Sequence, residues 1–257
     1  MKNIKNIPHY KKLKSVIPED RLVGMIERDI MPYLDDFDKW KSESNIQECH
    51  LADVFPDRSI ESNQIRLEDF LGRWGNLSIE ALCKLCLIIR GIKPKNVFEI
   101  GTYNGTTTLQ IAQNLSDVEH MIYTLDLPDN YTGHGMSEID TYMFQTTLPN
   151  IERKFNKTIY KKTIKPSIQQ LIGDSRTFDF SPYYGKINLV FIDGAHDYDT
   201  KKSDTENALK MLADHGVIIW DNYNDVGCPF TTKYLSELSH ELKIYNLKNT
   251  QLAVYRK

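Results

Sequence analysis

Apolar positions follow two spacings along the 257-residue chain. Between Pro18 and Trp40 they recur at helical intervals, with Leu22, Met25, Ile26, Ile30 and Leu34 on one face. A polar stretch rich in Ser, Asn and Asp then runs to Asn63. Residues 1–75 are therefore expected to form a helical and irregular extension. Ser78 is a good N-cap, and the segment IEALCKLCLIIRGI behind it is apolar nearly all round before Gly91 and Pro94. This predicts a buried helix.

Beyond that helix, short β-rich runs alternate with helical patterns. The runs are VFEIG (97–101), MIYTLD (121–126), a weaker IQQLI (168–172), INLVFID (187–193) and GVIIWD (216–221). Such alternation implies a parallel sheet. Continuously apolar pieces such as LVFI and VIIW suit strands covered by helices on both faces. KIYNL and QLAVYRK, on either side of Lys248 and Asn249, predict a terminal antiparallel hairpin. The reading is an α/β fold with seven strands in residues 76–257.

Composition narrows the class. With 40% hydrophobic and 26% charged residues the chain reads as soluble and globular, and no apolar run approaches the ~20 residues of a membrane span. A net charge of -3 argues against nucleic acid, whose binding needs dense positive surface. Four cysteines make no disulfide scaffold, and MKNIKNIPHYKKLKSV lacks the apolar core of a secretory signal. The expected setting is a reducing cytoplasm, with a small-molecule partner and neither nucleic acid nor membrane. Cys83-Lys-Leu-Cys86 matches C-x-x-C but sits in the apolar helix without a second pair, so it reads as packing. His9, His50, His120, His215 and His240 show no ligand spacing and read as surface or cap residues.

Open α/β sheets bind ligands beyond the carboxyl ends of their strands. The first strand ends in Glu99-Ile-Gly101-Thr102-Tyr103-Asn104-Gly105-Thr106, which leads straight into a helical pattern. Its glycines permit tight turning and close approach of backbone to a ligand. The motif is GxxxG, lacking the middle glycine that a dinucleotide fingerprint sets against a pyrophosphate, so a nicotinamide cofactor is disfavoured. Asp126, followed by Leu127, lies 27 residues beyond Glu99, near where doubly wound folds place a ribose-binding carboxylate. Gly173-Asp174-Ser175 closes the third run and offers a carboxylate and a hydroxyl to an adenine edge.

VFEIGTYNGTTT, YTLDLP, LIGDS, LVFIDGAHDY and GVIIWDNY together resemble the class I methyltransferases, over residues 76–256. The likeness is to small-molecule O-methyltransferases of the catechol type and to bacterial sugar O-methyltransferases. It implies a Rossmann-like, mostly parallel seven-stranded sheet and S-adenosylmethionine as cofactor. Glu99 and residues Gly101 to Thr106 would hold the methionine part, Asp126 and Leu127 the ribose, and Asp174 with Ser175 the adenine, and Asp193 would also belong to the cofactor site. Residues 1–75 lie outside the likeness. Such enzymes are commonly homo-oligomers, and the extension is left either to cover the site or to build an interface.

Methyl transfer to a hydroxyl is an in-line displacement, and an alcohol is a weak nucleophile until its proton leaves or a metal binds its oxygen. Asp193 closes the fourth run; Asp221 and Asn222 close the fifth. Three oxygen donors at one rim suit Mg²⁺ or a similar divalent cation. His196, three residues beyond Asp193, titrates near neutrality when unperturbed and is the candidate general base. The catechol enzymes carry a lysine there, whereas sugar-type relatives with an IDGxH motif carry histidine. The expected reaction is O-methylation of a hydroxylated small molecule, with a sugar or glycosylated natural product first. A metal-independent N-methyltransferase and a non-catalytic cofactor-binding subunit are the alternatives. An insertion at residues 128–166, rich in aromatic residues, reads equally as a substrate lid or as one packed amphipathic helix, with Tyr131 and His134 its first residues to test.

Overall fold

Two apolar layers, one on each face of a single sheet, organise the computed structural model. It describes Tyr10 and residues 13–56, 60–70, 75–131, 136–147 and 153–257. The chain runs α1 (Glu19–Asp29), α2 (Leu34–Glu43), β1 (Gln47–Cys49), α3 (Leu51–Val54), α4 (Ile79–Ile92), β2 (Asn96–Ile100), α5 (Thr106–Asn114) and β3 (Met121–Asp126). It continues through α6 (Glu138–Thr147), β4 (Ile168–Ile172), β5 (Ile187–Ile192), α7 (Tyr198–Met211), β6 (Leu212–Trp220), α8 (Pro229–Leu238), β7 (Ile244–Leu247) and β8 (Ala253–Arg256).

Alternation along the strands divides the core. Val97, Leu189, Phe191, Val217 and Ile219 pack on one face with Leu85 and Ile89 of α4 and Leu109 of α5. Phe98, Val190, Ile192, Ile218 and Trp220 pack on the other with Ala208 and Met211 of α7. Successive side chains of a strand point to opposite faces, so continuous apolar runs mark strands buried on both sides. Ser78 caps α4 as expected, its Oγ accepting from Ala81 N at 3.2 Å.

The strand order is β1-β7-β8-β6-β5-β2-β3-β4. β8 runs antiparallel to β6 and β7, and the other pairs are parallel. This is the Rossmann-like sheet expected, with one difference: it has eight strands, not seven. The eighth, Gln47–Cys49, lies in the polar stretch before Asn63 and adds itself beside β7 through its backbone. Three residues with largely exposed side chains leave no periodicity in the sequence to mark a strand.

Chain order reverses between β2, which pairs with β3, and β5, so a crevice opens there at the carboxyl ends. Gly101 makes the join possible. Its φ is +99°, and a Cβ on it would lie 2.0 Å from the Asp193 carbonyl oxygen. The turn after β2 and the turn after β5 thus touch through backbone. A third apolar cluster lies apart from the sheet, where Leu22, Met25, Ile26 and Ile30 of α1 and its end pack with Leu13, Ile17 and Ile139 of α6.

Gly101→Ala is expected to destabilise the protein by about 2–4 kcal/mol through strain and backbone overlap. Urea unfolding followed by circular dichroism measures this, and an unchanged midpoint would show that the two turns have room to separate.

Candidate functional site

A cavity of about 920 Å³ occupies the crevice. It is lined by Gly101, Tyr103, Asp126, Leu127, Asp174 and Ser175, and by Asp193, His196, Asp221 and Asn222. Seven of the residues assigned to the cofactor, counting Asp193, therefore face one space. Glu99, Thr102, Asn104, Gly105 and Thr106 do not line it and form the layer behind.

That layer explains the shape of the turn. Glu99 is fully buried, and its Oε2 accepts from Thr108 Oγ1 and Thr124 Oγ1, each at 2.5 Å. Burial pushes its carboxyl up to about 7, against the pull of those hydroxyls. Asn104 Oδ1 accepts from Thr106 N at 3.0 Å and Thr106 Oγ1 at 2.7 Å, capping the start of α5. Gly105, with φ +72°, has Phe155 where a Cβ would need space.

Asp126 ends β3 with both oxygens engaged. Oδ2 accepts from Tyr103 N at 2.9 Å and from the Arg153 guanidinium at 3.3 Å, and Oδ1 from Leu127 N at 2.9 Å. Burial still pushes its pKa up to about 6, more than Arg153 and the two amides offset. Asp174 is in the opposite state: its ion pair with Arg176, at 2.8 Å, holds it down to about 2 despite partial burial. Tyr131 Oη donates to the same carboxylate at 2.8 Å. Arg153 and Arg176 escaped the sequence reading, because a lone arginine in a loop has no spacing signal.

Asp193 and Asp221 stand at the adjacent termini of β5 and β6. Burial first, and then the Asp221 charge, raise the Asp193 carboxyl well above the ordinary range. Burial pushes Asp221 up to about 6. Lys201 of α7 is itself fully buried, and its charge pulls both carboxyls back down. Among the described residues no group of three His, Cys, Asp or Glu is arranged to hold a metal. A cation here would take Asp193, Asp221 and the amide oxygen of Asn222. Two like charges confined side by side fit such an ion, since a divalent cation between them relieves their repulsion.

His196 is clasped on both ring nitrogens. Nδ1 lies 2.8 Å from Asp140 Oδ1 and Nε2 3.1 Å from Asn222 Oδ1. Burial disfavours the imidazolium, but the Asp140 carboxylate outweighs it, with Cys228 beside the ring adding to the effect, and the pKa stands well above 6.5. Titration near neutrality, expected from the isolated side chain, is thus corrected upward by a partner that sequence spacing did not reveal. Asp140 lies 56 positions before His196, on α6 in the insertion.

The family profile described as "Methyltransferase domain" matches residues 98–223. These residues are a methyltransferase domain. A curated protein of Dictyostelium discoideum named "Probable caffeoyl-CoA O-methyltransferase 3" is 26% identical over 138 residues. That alignment covers 53% of this chain and 47% of the relative, so the chain spans about half the length of the curated relative it matches. The solved SAH-bound methyltransferase PaMTH1 of Podospora anserina has the same fold. Its TM-score is 0.53 at 15% identity, over 80% of this chain and 94% of that one.

Two further segments, the N-terminal extension and an insertion inside the methyltransferase domain, complete the cavity wall. Leu13, Arg28, Asp29 and Tyr33 come from the N-terminal extension. Tyr131, Met136, Ser137, Ile139, Asp140 and Phe144 come from the insertion, which both lines the cavity and carries helix α6. His134 lies outside the described residues. Cys86, in the C-x-x-C segment, is buried in α4, and all four cysteines are free thiols.

The His196–Asp140 pair carries a pH signature. A histidine whose folded pKa is raised contributes stability that is complete below about 6.5 and is lost as pH rises through the folded value. The difference in Tm between the wild type and His196→Gln should therefore be largest near pH 6 and shrink through the alkaline range. Differential scanning fluorimetry across pH 6–10 reads it, and a difference constant with pH would mean that the pair adds no charge-linked stability.

Proposed function

We propose that this chain transfers the methyl group of S-adenosylmethionine to a hydroxyl of a small molecule, with His196 as proton acceptor. One observation carries the reading. His196, braced by Asp140 and facing Asn222, lines the same cavity as Asp193 and Asp221 and as Asp126 and Asp174. The residues suit the cofactor: Gly101 and Tyr103 border the space after β2, Asp126 meets the ribose hydroxyls, and Asp174 with Ser175 meets the adenine. Bound there, S-adenosylmethionine supplies an electrophilic methyl carbon, and a divalent cation at Asp193, Asp221 and Asn222 lowers the proton affinity of the acceptor hydroxyl.

The rest of the chemistry belongs to the chain. In the resting pair the His196 imidazolium donates from Nδ1 to Asp140 and from Nε2 to Asn222 Oδ1. The ring must first lose its Nε2 proton, after which that nitrogen takes the hydroxyl proton as the C–O bond forms and the C–S bond breaks. Asp140 then faces a restored positive charge, so its carboxylate favours the product of proton transfer. Tyr33 and Phe230, whose rings meet edge-on at 4.6 Å, line the same cavity. Asn249 and Gln251 also line it and carry amides suited to a polyhydroxylated acceptor, such as a sugar or a glycosylated natural product.

A specific observation favours metal-independent transfer as a second reading. Lys201 already supplies a buried positive charge to Asp193 and Asp221, and Asn222 Oδ1 is engaged by His196. A reducing cytoplasm suits the four free thiols, and a homo-oligomer without nucleic-acid or membrane partners completes the reading. No helix among the described residues is long and apolar enough to cross a membrane.

With labelled cofactor and an acceptor panel of catechols and deoxysugar glycosides, kcat is expected to rise with pH into the alkaline range as His196 loses its proton. His196→Ala should lower kcat by about 10²–10⁴-fold and flatten that rise, with cofactor affinity kept. Near-normal turnover in the folded variant would remove the base assignment. Chelation with EDTA is expected to abolish turnover and added Mg²⁺ to restore it; turnover unchanged by EDTA would select the second reading.

A further inference from the structure

We infer that Asp140 is a positioning residue for methyl transfer, and that the N-terminal helix α1 holds it where it orients His196. The inference rests on the reading of His196 as proton acceptor and adds to it the part played by the N-terminal segment and by the insertion that carries α6.

An imidazole on a turn after a strand is free to rotate about its side-chain bonds unless a second nitrogen is anchored. Here Asp140 Oδ1 meets Nδ1 at 2.8 Å, which leaves Nε2 facing Asn222 Oδ1 at 3.1 Å. Asp140 is the third residue of α6, and its place depends on how the first turn of that helix is gripped. Ser137 Oγ accepts from Asp140 N at 3.0 Å, capping the helix locally. The neighbouring contacts come from α1. Arg28 donates from Nε and from a terminal nitrogen to the two oxygens of Glu138, each at 2.5 Å. Asp29 Oδ2 accepts from Ile139 N at 3.0 Å, satisfying one of the amides that a helix start leaves unpaired. The Ile139 side chain is buried in the cluster formed by Leu22, Met25 and Ile26.

Residues 138 and 139 are thus fastened to the last two residues of α1, immediately before the carboxylate that holds the base. An error of about 1 Å in the position of a reacting group costs on the order of 10²-fold in rate. The ion pair of Arg28 and Glu138 is exposed and adds little to stability by itself. Its effect is geometric, since it is bidentate and closes the path from α1 through α6 to the ring.

Long-range ¹H–¹⁵N spectra of the full ¹⁵N-labelled chain resolve the ring nitrogens, with His196 identified by the loss of its signals in His196→Gln. Asp140→Asn is expected to move the His196 Nδ1 resonance and to lower kcat on catechol by about 10²-fold, with KM for S-adenosylmethionine within about twofold. Asp140→Glu should recover part of both. Glu138→Ala, which removes the bidentate contact with Arg28 without touching the ring, should shift the same resonance and lower kcat in the same direction by less. An Nδ1 resonance left at its wild-type position in Asp140→Asn, or in Glu138→Ala should the former fail to fold, overturns the inference. Full turnover in His196→Gln overturns the base reading instead, whatever the ring spectra of the Asp140 variants show.

Discussion

The contact on which the site depends is a backbone one. Gly101, at the end of β2, lies so close to the carbonyl of Asp193, at the end of β5, that no side chain fits between them. These strands flank the point where chain order reverses, so the same contact opens the crevice and sets its width. Tyr103, which follows Gly101, and His196, which follows Asp193, both line the cavity.

Charge is the second constraint. Glu99, Asp126, Asp193 and Asp221 are all drawn upward in pKa by burial. Ionised carboxylates in such a setting need compensation. Three devices supply it: threonine hydroxyls for Glu99, Arg153 and two amides for Asp126, and Lys201 for both Asp193 and Asp221. His196 and Asp140 compensate each other, burial opposing both charges and their mutual attraction prevailing.

The N-terminal helix α1 and the insertion helix α6 share a core of their own. α1 and α6 meet through Leu22, Met25, Ile26 and Ile139, away from the two layers of the sheet. A unit of this size is stable only when docked, and its polar edge is where Arg28, Asp29 and Asp140 enter the cavity wall. Part of the cavity wall is therefore built from α1 and α6, away from the strand ends.

Much of this was legible in the chain by itself. Uninterrupted apolar runs such as LVFI and VIIW marked the central strands, because a strand covered on both faces has no polar alternation to hide. The acidic residues at their ends were legible because a doubly wound sheet gathers strand termini at one rim. Tertiary structure alone decided the rest. Gln47–Cys49 became an eighth strand through backbone pairing that leaves no trace in side-chain pattern. Glu99, Thr102, Asn104, Gly105 and Thr106 lie behind the cavity wall because the turn folds inward on its hydroxyls and glycines. Asp140, Arg153, Arg176 and Lys201 entered the site from distant positions, and His196 acquired a raised pKa from one of them. Local spacing records which groups share a turn or a strand end, whereas charge partners that meet across the fold are set by packing and have no fixed separation along the sequence.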